Sequence, residues 1–516
     1  MSLDSDVLII GAGLSGLATA VQLVKKFGTR NFEVIEKSDN IGGTWWLNSY
    51  PGCACDVQSH FYSFSFALNP GWTRLFASQS EIHKYLKDVA EDYKILPHVR
   101  FKSSVRQALW DPVAAVWQVE FEDLSTHSIH KRRCKILVSA VGALSIPKKC
   151  DVPGAEGFNG RLFHSAEWDH SFDWKGKEVI VLGNGCSATQ FVPIISKGEG
   201  SAKKVIQFSR QSHWLAPWSN PEYSSLFKWT MRWIPGVMRA YRFYLFAQKE
   251  LTFRSFAITS GRPLREQDTR DTAEYIRRNA PQKYVNFLVP KTEIGCKRRV
   301  NDTHYLTSLH RDNVELIYDD AVERIAASGV ITKSGRHVSA DAIVLATGFE
   351  THKFLFPMEI RGENGVSLNE HWSQVSEGAS SAYFGTCVSG FPNFFIMMGP
   401  NTLTGHLSVI YTVECQVNFT MRVIAPIMRS LSARHAGKAS RNPDSVAVLV
   451  EAERRDLNWV QKRCKNLVWA TGCTSWFIEP QTGQNTIMYP DWPTVYWLRS
   501  IWVPWRDFSY RKSKEF

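Results

Sequence analysis

Two short stretches constrain the fold of this chain more than anything else in it. DVLIIGAGLSGLATAVQLVKK carries an apolar run into Gly11, Gly13 and Gly16 and then into a helical pattern. VIVLGNGCSATQ repeats the arrangement with Gly183, Gly185 and Ala188. The first glycine of such a turn permits a tight reversal, the second lets backbone approach a pyrophosphate, and the third position packs helix against strand. The helix N-terminus then offers free N–H groups and a positive dipole end to the phosphates. One such glycine pattern is weak evidence, whereas two in strand–turn–helix context imply an α/β protein with two doubly wound, Rossmann-like domains.

The strands that follow the two turns end differently. FEVIE ends in Glu36, 20 residues beyond Gly16, where a carboxylate binds both hydroxyls of an adenosine ribose. KKVIQFSR ends in Arg210, and a guanidinium there binds a 2′-phosphate that an acid would repel. The expected ligands are non-covalent FAD at the first turn and NADPH at the second, because a nicotinamide needs something to reduce. A vestigial turn at either place is the plain alternative, and the contrast of acid and base argues against it.

At 516 residues the chain is too long for one ordinary core. The runs CKILVSAV (134–141) and DAIVLATGF (341–349) each lead into a small-residue turn of the kind that marks a crossing between domains. The expected order is a FAD domain over 1–145, an NADP domain over 146–215, a helical insertion over 216–290, NADP domain again over 291–345, and FAD domain over 346–516. The NADP domain is thus inserted into a discontinuous FAD domain. Within the insertion, Met238, Tyr241 and Leu245 recur at helical spacing with arginines between them, which reads as a packed lid or a basic, aromatic membrane-facing surface.

The net charge of +12 suits an anionic partner. Zinc-finger spacing, an RNA-recognition signature and a basic tail are all absent, which excludes a nucleic-acid partner. No apolar run reaches 18 residues, so no transmembrane segment is expected. The first strand starts at Val7 and leaves no room for a signal peptide before it, so a cytoplasmic protein is expected. The ten cysteines are scattered without a CxxC pair, which reads as reduced thiols. The histidines lack HxxxH or HExxH spacing, so no metal is expected, and no hydrolase elbow is found.

Four further motifs make a family resemblance specific. FNGRLFHSAEWD (158–169) places Phe158, Gly160, His164, Trp168 and Asp169 just before the second glycine turn. GGTWWLNSYPGCACD places Gly42, Gly43, Trp45, Tyr50, Pro51, Gly52 and Asp56 after the first. GCKRRV (295–300) and ATGF (346–349) follow in order. The chain resembles the type I Baeyer–Villiger monooxygenases, of the class B flavin-dependent monooxygenase family, over nearly its whole length. That resemblance implies an enzyme that uses FAD, NADPH and O2 to turn a ketone into an ester or lactone, through a C4a-peroxyflavin and a tetrahedral adduct.

The resemblance also implies roles. Arg298 matches the family's catalytic arginine; arginine suits that task because it stays charged and gives up no proton. Asp56 would lie near the flavin and orient Arg298. Thr44, Trp45, Trp46, Leu47, Tyr62 and Val105 match positions that line FAD. Ala54, Cys55 and Asp56 match NADP contacts, as do the residues from Gly183 through Asn184, Gly185, Ser187, Ala188 and Thr189 to Gln190. Arg210, Gln211 and Lys297 match contacts to the NADP phosphate, Arg298 is also among the NADP contacts, and Trp476 matches a mobile C-terminal loop that closes over NADP and substrate. Arg299 stands where a proline is expected, which leaves three consecutive cations to divide the work. His164 and Trp168 would position domains rather than act on substrate. The dense stretch YPDWPTVYWLRSIWVPW and the aromatic insertion favour a hydrophobic ketone. The alternatives are a monooxygenase acting on nitrogen or sulfur, whose short motif generally lacks the Trp-Asp ending, and a catalytically silent flavin-binding protein.

Overall fold

Both glycine turns sit where the sequence puts them, each at the C-terminal end of a central parallel strand. The computed structural model describes residues 3–512, so the outermost ends of the first and last expected segments lie outside the described residues. The first sheet has eight strands. Strand Ser5–Ile10 lies between the parallel strands Phe32–Ile35 and Ile129–Ser139. Antiparallel pairing adds Val116–Asp123 and Ser103–Asp111, and two late strands, Glu359–Arg361 and Phe394–Ile396, join in parallel. The second sheet is wholly parallel, in the order Val314–Ile317, Lys204–Phe208, Glu178–Leu182, Ala342–Leu345, Arg161–His164.

The same steric demand shapes both turns. Gly11 has φ +103° and Gly183 has φ +111°, a region that L side chains rarely adopt. A Cβ at Gly11 would meet the Ala140 carbonyl, and one at Gly183 would meet the Ala346 carbonyl. Each turn is therefore wedged against the end of the neighbouring parallel strand, which fixes where the following helix, Leu14–Phe27 or Cys186–Ile195, begins. The stretches leaving those two neighbouring strands run beside each other. Lys148 N–H donates to the Gly348 carbonyl at 2.9 Å, and Glu350 N–H donates to the Ile146 carbonyl at 2.9 Å.

Between the halves of the second sheet lie the helices Ser225–Trp233, Val237–Thr252, Arg262–Asn279 and Val285–Leu288. Tyr223, Phe227 and Tyr241 close edge-on around the His60 ring at 5.0, 5.5 and 5.4 Å. Arg242 donates to the Ser63 carbonyl at 3.0 Å and to Ser63 Oγ at 2.7 Å. Among the described residues, no helix is long and apolar enough to cross a membrane.

His60 makes this docking sensitive to acid. Burial, then the Arg242 charge, hold its pKa down to about 4. The unfolded chain takes up that proton near pH 6.5, before the folded protein does, so stability falls as pH drops below about 6.5 and levels off below about 4. At pH 5 the loss from this group is about 2 kcal/mol. Thermal unfolding across that range should show the decline, and His60→Phe should flatten it.

Candidate active site

The site forms where the loop after helix Thr44–Leu47 meets the helix after the second glycine turn. Tyr50 OH donates to Gln190 Oε1 at 2.8 Å, and Gln190 Nε2 donates to the Ala54 carbonyl at 3.1 Å. Gly52 approaches so closely that an added Cβ would lie 2.9 Å from the Gln190 carbonyl. These contacts fix the loop bearing Ala54, Cys55 and Asp56 on the helix bearing Ser187, Ala188 and Thr189. Arg298, 242 residues further along, donates to Asp56 Oδ2 from Nε at 2.8 Å and from Nη2 at 2.6 Å. Both side chains are half-buried, where a charge-assisted pair is strong. The Asp56 charge raises the Arg298 pKa still further, so the guanidinium stays protonated at any working pH.

The three consecutive cations point three ways. Lys297 Nζ donates to Gln211 Oε1 at 2.5 Å, on the side of the second glycine turn. Burial lowers its pKa. Asn184 Nδ2 donates to the Gln211 carbonyl at 2.9 Å, so Lys297, Gln211 and the turn form one unit. Arg210 beside them is exposed. Arg299 turns away, to Thr272 Oγ1 at 3.1 Å and Asp268 at 3.4 Å on helix Arg262–Asn279. Only Arg298 faces Asp56.

The second cradle is open at the N-terminus of its helix, and the first is faced closely by backbone alone. A Cβ at Gly185, the residue before helix Cys186–Ile195, would meet nothing within 4 Å. Gly13 faces the backbone of Gly43 from the loop before Thr44, with no side chain between them. Glu36 is buried and accepts from Ala12 N–H at 2.7 Å and Ser38 N–H at 2.8 Å, which holds its carboxylate beside the first turn. Trp45 Nε1 donates to Tyr62 OH at 3.0 Å, and Trp46 lies against His83 at 5.2 Å. Thr44 and Leu47 bound the same short helix. Val105 packs in the apolar cluster of Leu8, Ile10 and Ile35, on the strand whose Ser103 N–H donates to the Glu36 carbonyl at 2.9 Å.

The short motif is an edge strand of the second sheet. A Cβ on Gly160 would strike the Phe158 ring, so these two residues fold onto one another. His164 accepts from Ala166 N–H at Nδ1, 3.0 Å, and its Nε2 lies 3.1 Å from the Gly348 carbonyl. Burial lowers the His164 pKa, consistent with a neutral ring that donates from Nε2. Trp168 packs on Phe191 at 5.2 Å, in the helix after the second turn. Asp169 caps Ser171, accepting from its N–H at 2.9 Å and its Oγ at 2.5 Å.

Residues 4–234 match the family model described as "Flavin-binding monooxygenase-like". A Baeyer–Villiger monooxygenase of Streptomyces coelicolor is 35% identical over 94% of this chain and 88% of its own length. The chain belongs to the Baeyer–Villiger monooxygenase family. A second member, from Pseudomonas aeruginosa, is 33% identical over 94% of this chain and 87% of its own. An oxidised steroid monooxygenase solved with NADP bound superposes with a TM-score of 0.82 at 25% identity, covering 98% of this chain and 99% of that one.

Three features of this Baeyer–Villiger monooxygenase escaped the sequence. Lys249, near the end of helix Val237–Thr252, reaches the field of Asp56, Arg298 and Arg299, and burial lowers its pKa. His406 is in contact range of the Phe253 and Phe256 rings, at 6.0 and 5.2 Å. Both His406 ring nitrogens are buried without a partner among the described residues. Burial, then the Lys249 and Arg298 charges, hold its pKa down to about 3, so the ring is neutral. The third feature corrects the reduced-thiol expectation for one pair: Cys296 and Cys473 form a disulfide across a separation of 177 residues, while the other eight cysteines are free. Scattered spacing hides such a pair, because only the folded chain brings the arginine turn next to the loop of Trp476. Trp476 packs on Phe477 at 4.7 Å within the apolar cluster that includes Cys296.

Proposed function

We propose that this chain oxidises a hydrophobic ketone to an ester or lactone, with FAD, NADPH and O2, in the cytoplasm. One oxygen atom of O2 enters the product beside the carbonyl, the other leaves as water, and NADPH provides the two electrons. The observation that carries this reading is the Asp56–Arg298 pair, held where the two nucleotide cradles meet. We read 1–145 and 346–516 as the FAD unit, 146–215 and 291–345 as the NADP unit, and 216–290 as a helical insertion.

Gly11, Gly13, Gly16 and Glu36 would hold FAD, with Thr44, Trp45, Trp46, Leu47 and Tyr62 beside it and Val105 acting at most through the sheet. Gly183, Gly185, Asn184, Ser187, Thr189, Gln190, Gln211 and Lys297 would hold NADPH. Bound FAD supplies the activation of oxygen. The chain's own task is to place a fixed cation where negative charge develops on oxygen, and Arg298 does this without reorganising. Asp56 keeps the guanidinium in one orientation. The neutral His406 ring and the Phe253 and Phe256 rings give the substrate an apolar wall with one polar point. The His164 bond to the Gly348 carbonyl and the packing of Trp168 on Phe191 keep the two cradles in register.

Arg210 sets the preference for NADPH. Arg210→Glu should raise KM for NADPH about tenfold to a hundredfold and leave the KM for NADH nearly unchanged. Steady-state kinetics with each cofactor checks this. The reaction itself is tested by aerobic turnover of cyclic and linear ketones and one thioether, with products identified by mass spectrometry. Ester or lactone is the expected product; sulfoxide alone would place the enzyme among heteroatom oxygenases.

A further inference from the structure

The helical insertion carries an outer face that the chemistry above does not use. Between Glu222 and Glu250 the sequence contains no Asp or Glu but five cations. Arg242 bonds inward to Ser63 and Lys249 lies at the site, which leaves Arg232 and Arg239, with the half-buried Lys228, to the outside. Helices Ser225–Trp233 and Val237–Thr252 pack on each other through Phe227 and Tyr241, and this inner face closes over His60. The outer face is apolar and open: Leu226 is 71% exposed, Trp233 65% and Phe243 68%. Trp229, Tyr244 and Leu251 are exposed as well, and so is Ile234 in the link between the helices. Arg232 and Arg239 stand in solvent among them.

We propose that this hairpin docks the enzyme on an anionic lipid bilayer, with its tryptophans and phenylalanine in the headgroup region and its arginines on lipid phosphates and carboxylates. Tryptophan and tyrosine prefer that interface, and arginines near it add attraction to anionic lipid. Two helices lying in the plane bury such a face by roughly 5–10 Å, without spanning the membrane. Charge selects lipid over a second copy of the chain. In a two-fold dimer this face meets itself, and it would set cation against cation on a protein of net charge +12. The docking also has a destination. Helix Val237–Thr252 carries Lys249 in its last turn, in the field of Asp56 and Arg298, and the turn that follows carries Phe253 and Phe256 against His406. An apolar substrate dissolved in the bilayer is thereby brought beside the helix that leads to the site.

The test is co-sedimentation of the FAD-loaded full-length protein with vesicles of phosphatidylcholine, alone or mixed with phosphatidylserine. Binding is expected to the mixed vesicles, with reversal by high salt. Trp229→Ser with Trp233→Ser, and separately Arg232→Glu with Arg239→Glu, should each lower the partition coefficient more than about tenfold. FAD content, read from its absorbance, shows that the variants fold, and either pair alone decides. No sedimentation with the mixed vesicles, or variants that bind as the parent does, would overturn the proposal. A parent that is dimeric in solution, does not sediment with vesicles and becomes monomeric in the variants would assign the face to self-association instead.

Discussion

Arg298→Ala is expected to abolish ester formation, with kcat/KM for the ketone falling by at least about a thousandfold. Removing one preorganised donor from a developing oxyanion costs on the order of 10²–10³ in rate, and here the donor is also a full charge. The neighbours cannot substitute. Lys297 is engaged with Gln211, and Arg299 is held by Asp268 and Thr272. Binding of FAD should survive, because Arg298 bonds only to Asp56 and to neither glycine turn. Product analysis together with NADPH consumption reads the effect, and Arg298→Lys should recover little, since an ammonium lacks the fork that Asp56 orients.

The second large effect is expected from Asp56→Ala. That variant leaves Arg298 charged and half-buried without its carboxylate, free to turn toward water. The protein should keep its FAD and still oxidise NADPH, but release hydrogen peroxide in place of product. Ester per NADPH consumed should fall by about tenfold or more, in line with the loss of two charge-assisted hydrogen bonds to one carboxylate oxygen. Full coupling in this variant would remove Asp56 from the account.

The parts of this site that sequence made legible are those where spacing alone encodes geometry. The glycine turns announce their strands and helices because only glycine tolerates φ near +100° against a neighbouring carbonyl, as at Gly11 and Gly183. Glu36 and Arg210 are readable because each ends the strand after its turn. The Asp56–Arg298 pair came from resemblance, since nothing local links residues 242 apart. Lys249 and His406 gave no signal. A lysine on an amphipathic helix reads as a surface residue, and a lone histidine in GPNTLTGHL reads as packing. Their place at the site depends on how the insertion folds back, which no periodicity specifies. The Cys296–Cys473 bond was hidden for the same reason.

The central claim is that this chain inserts one atom of molecular oxygen next to a ketone carbonyl. Turnover under ¹⁸O2 with NADPH and a ketone substrate tests it most directly, by the mass of the product. The account predicts an ester or lactone that carries a single ¹⁸O, and none in the Arg298→Ala variant. A product without ¹⁸O, or a labelled product made equally well by that variant, would contradict it.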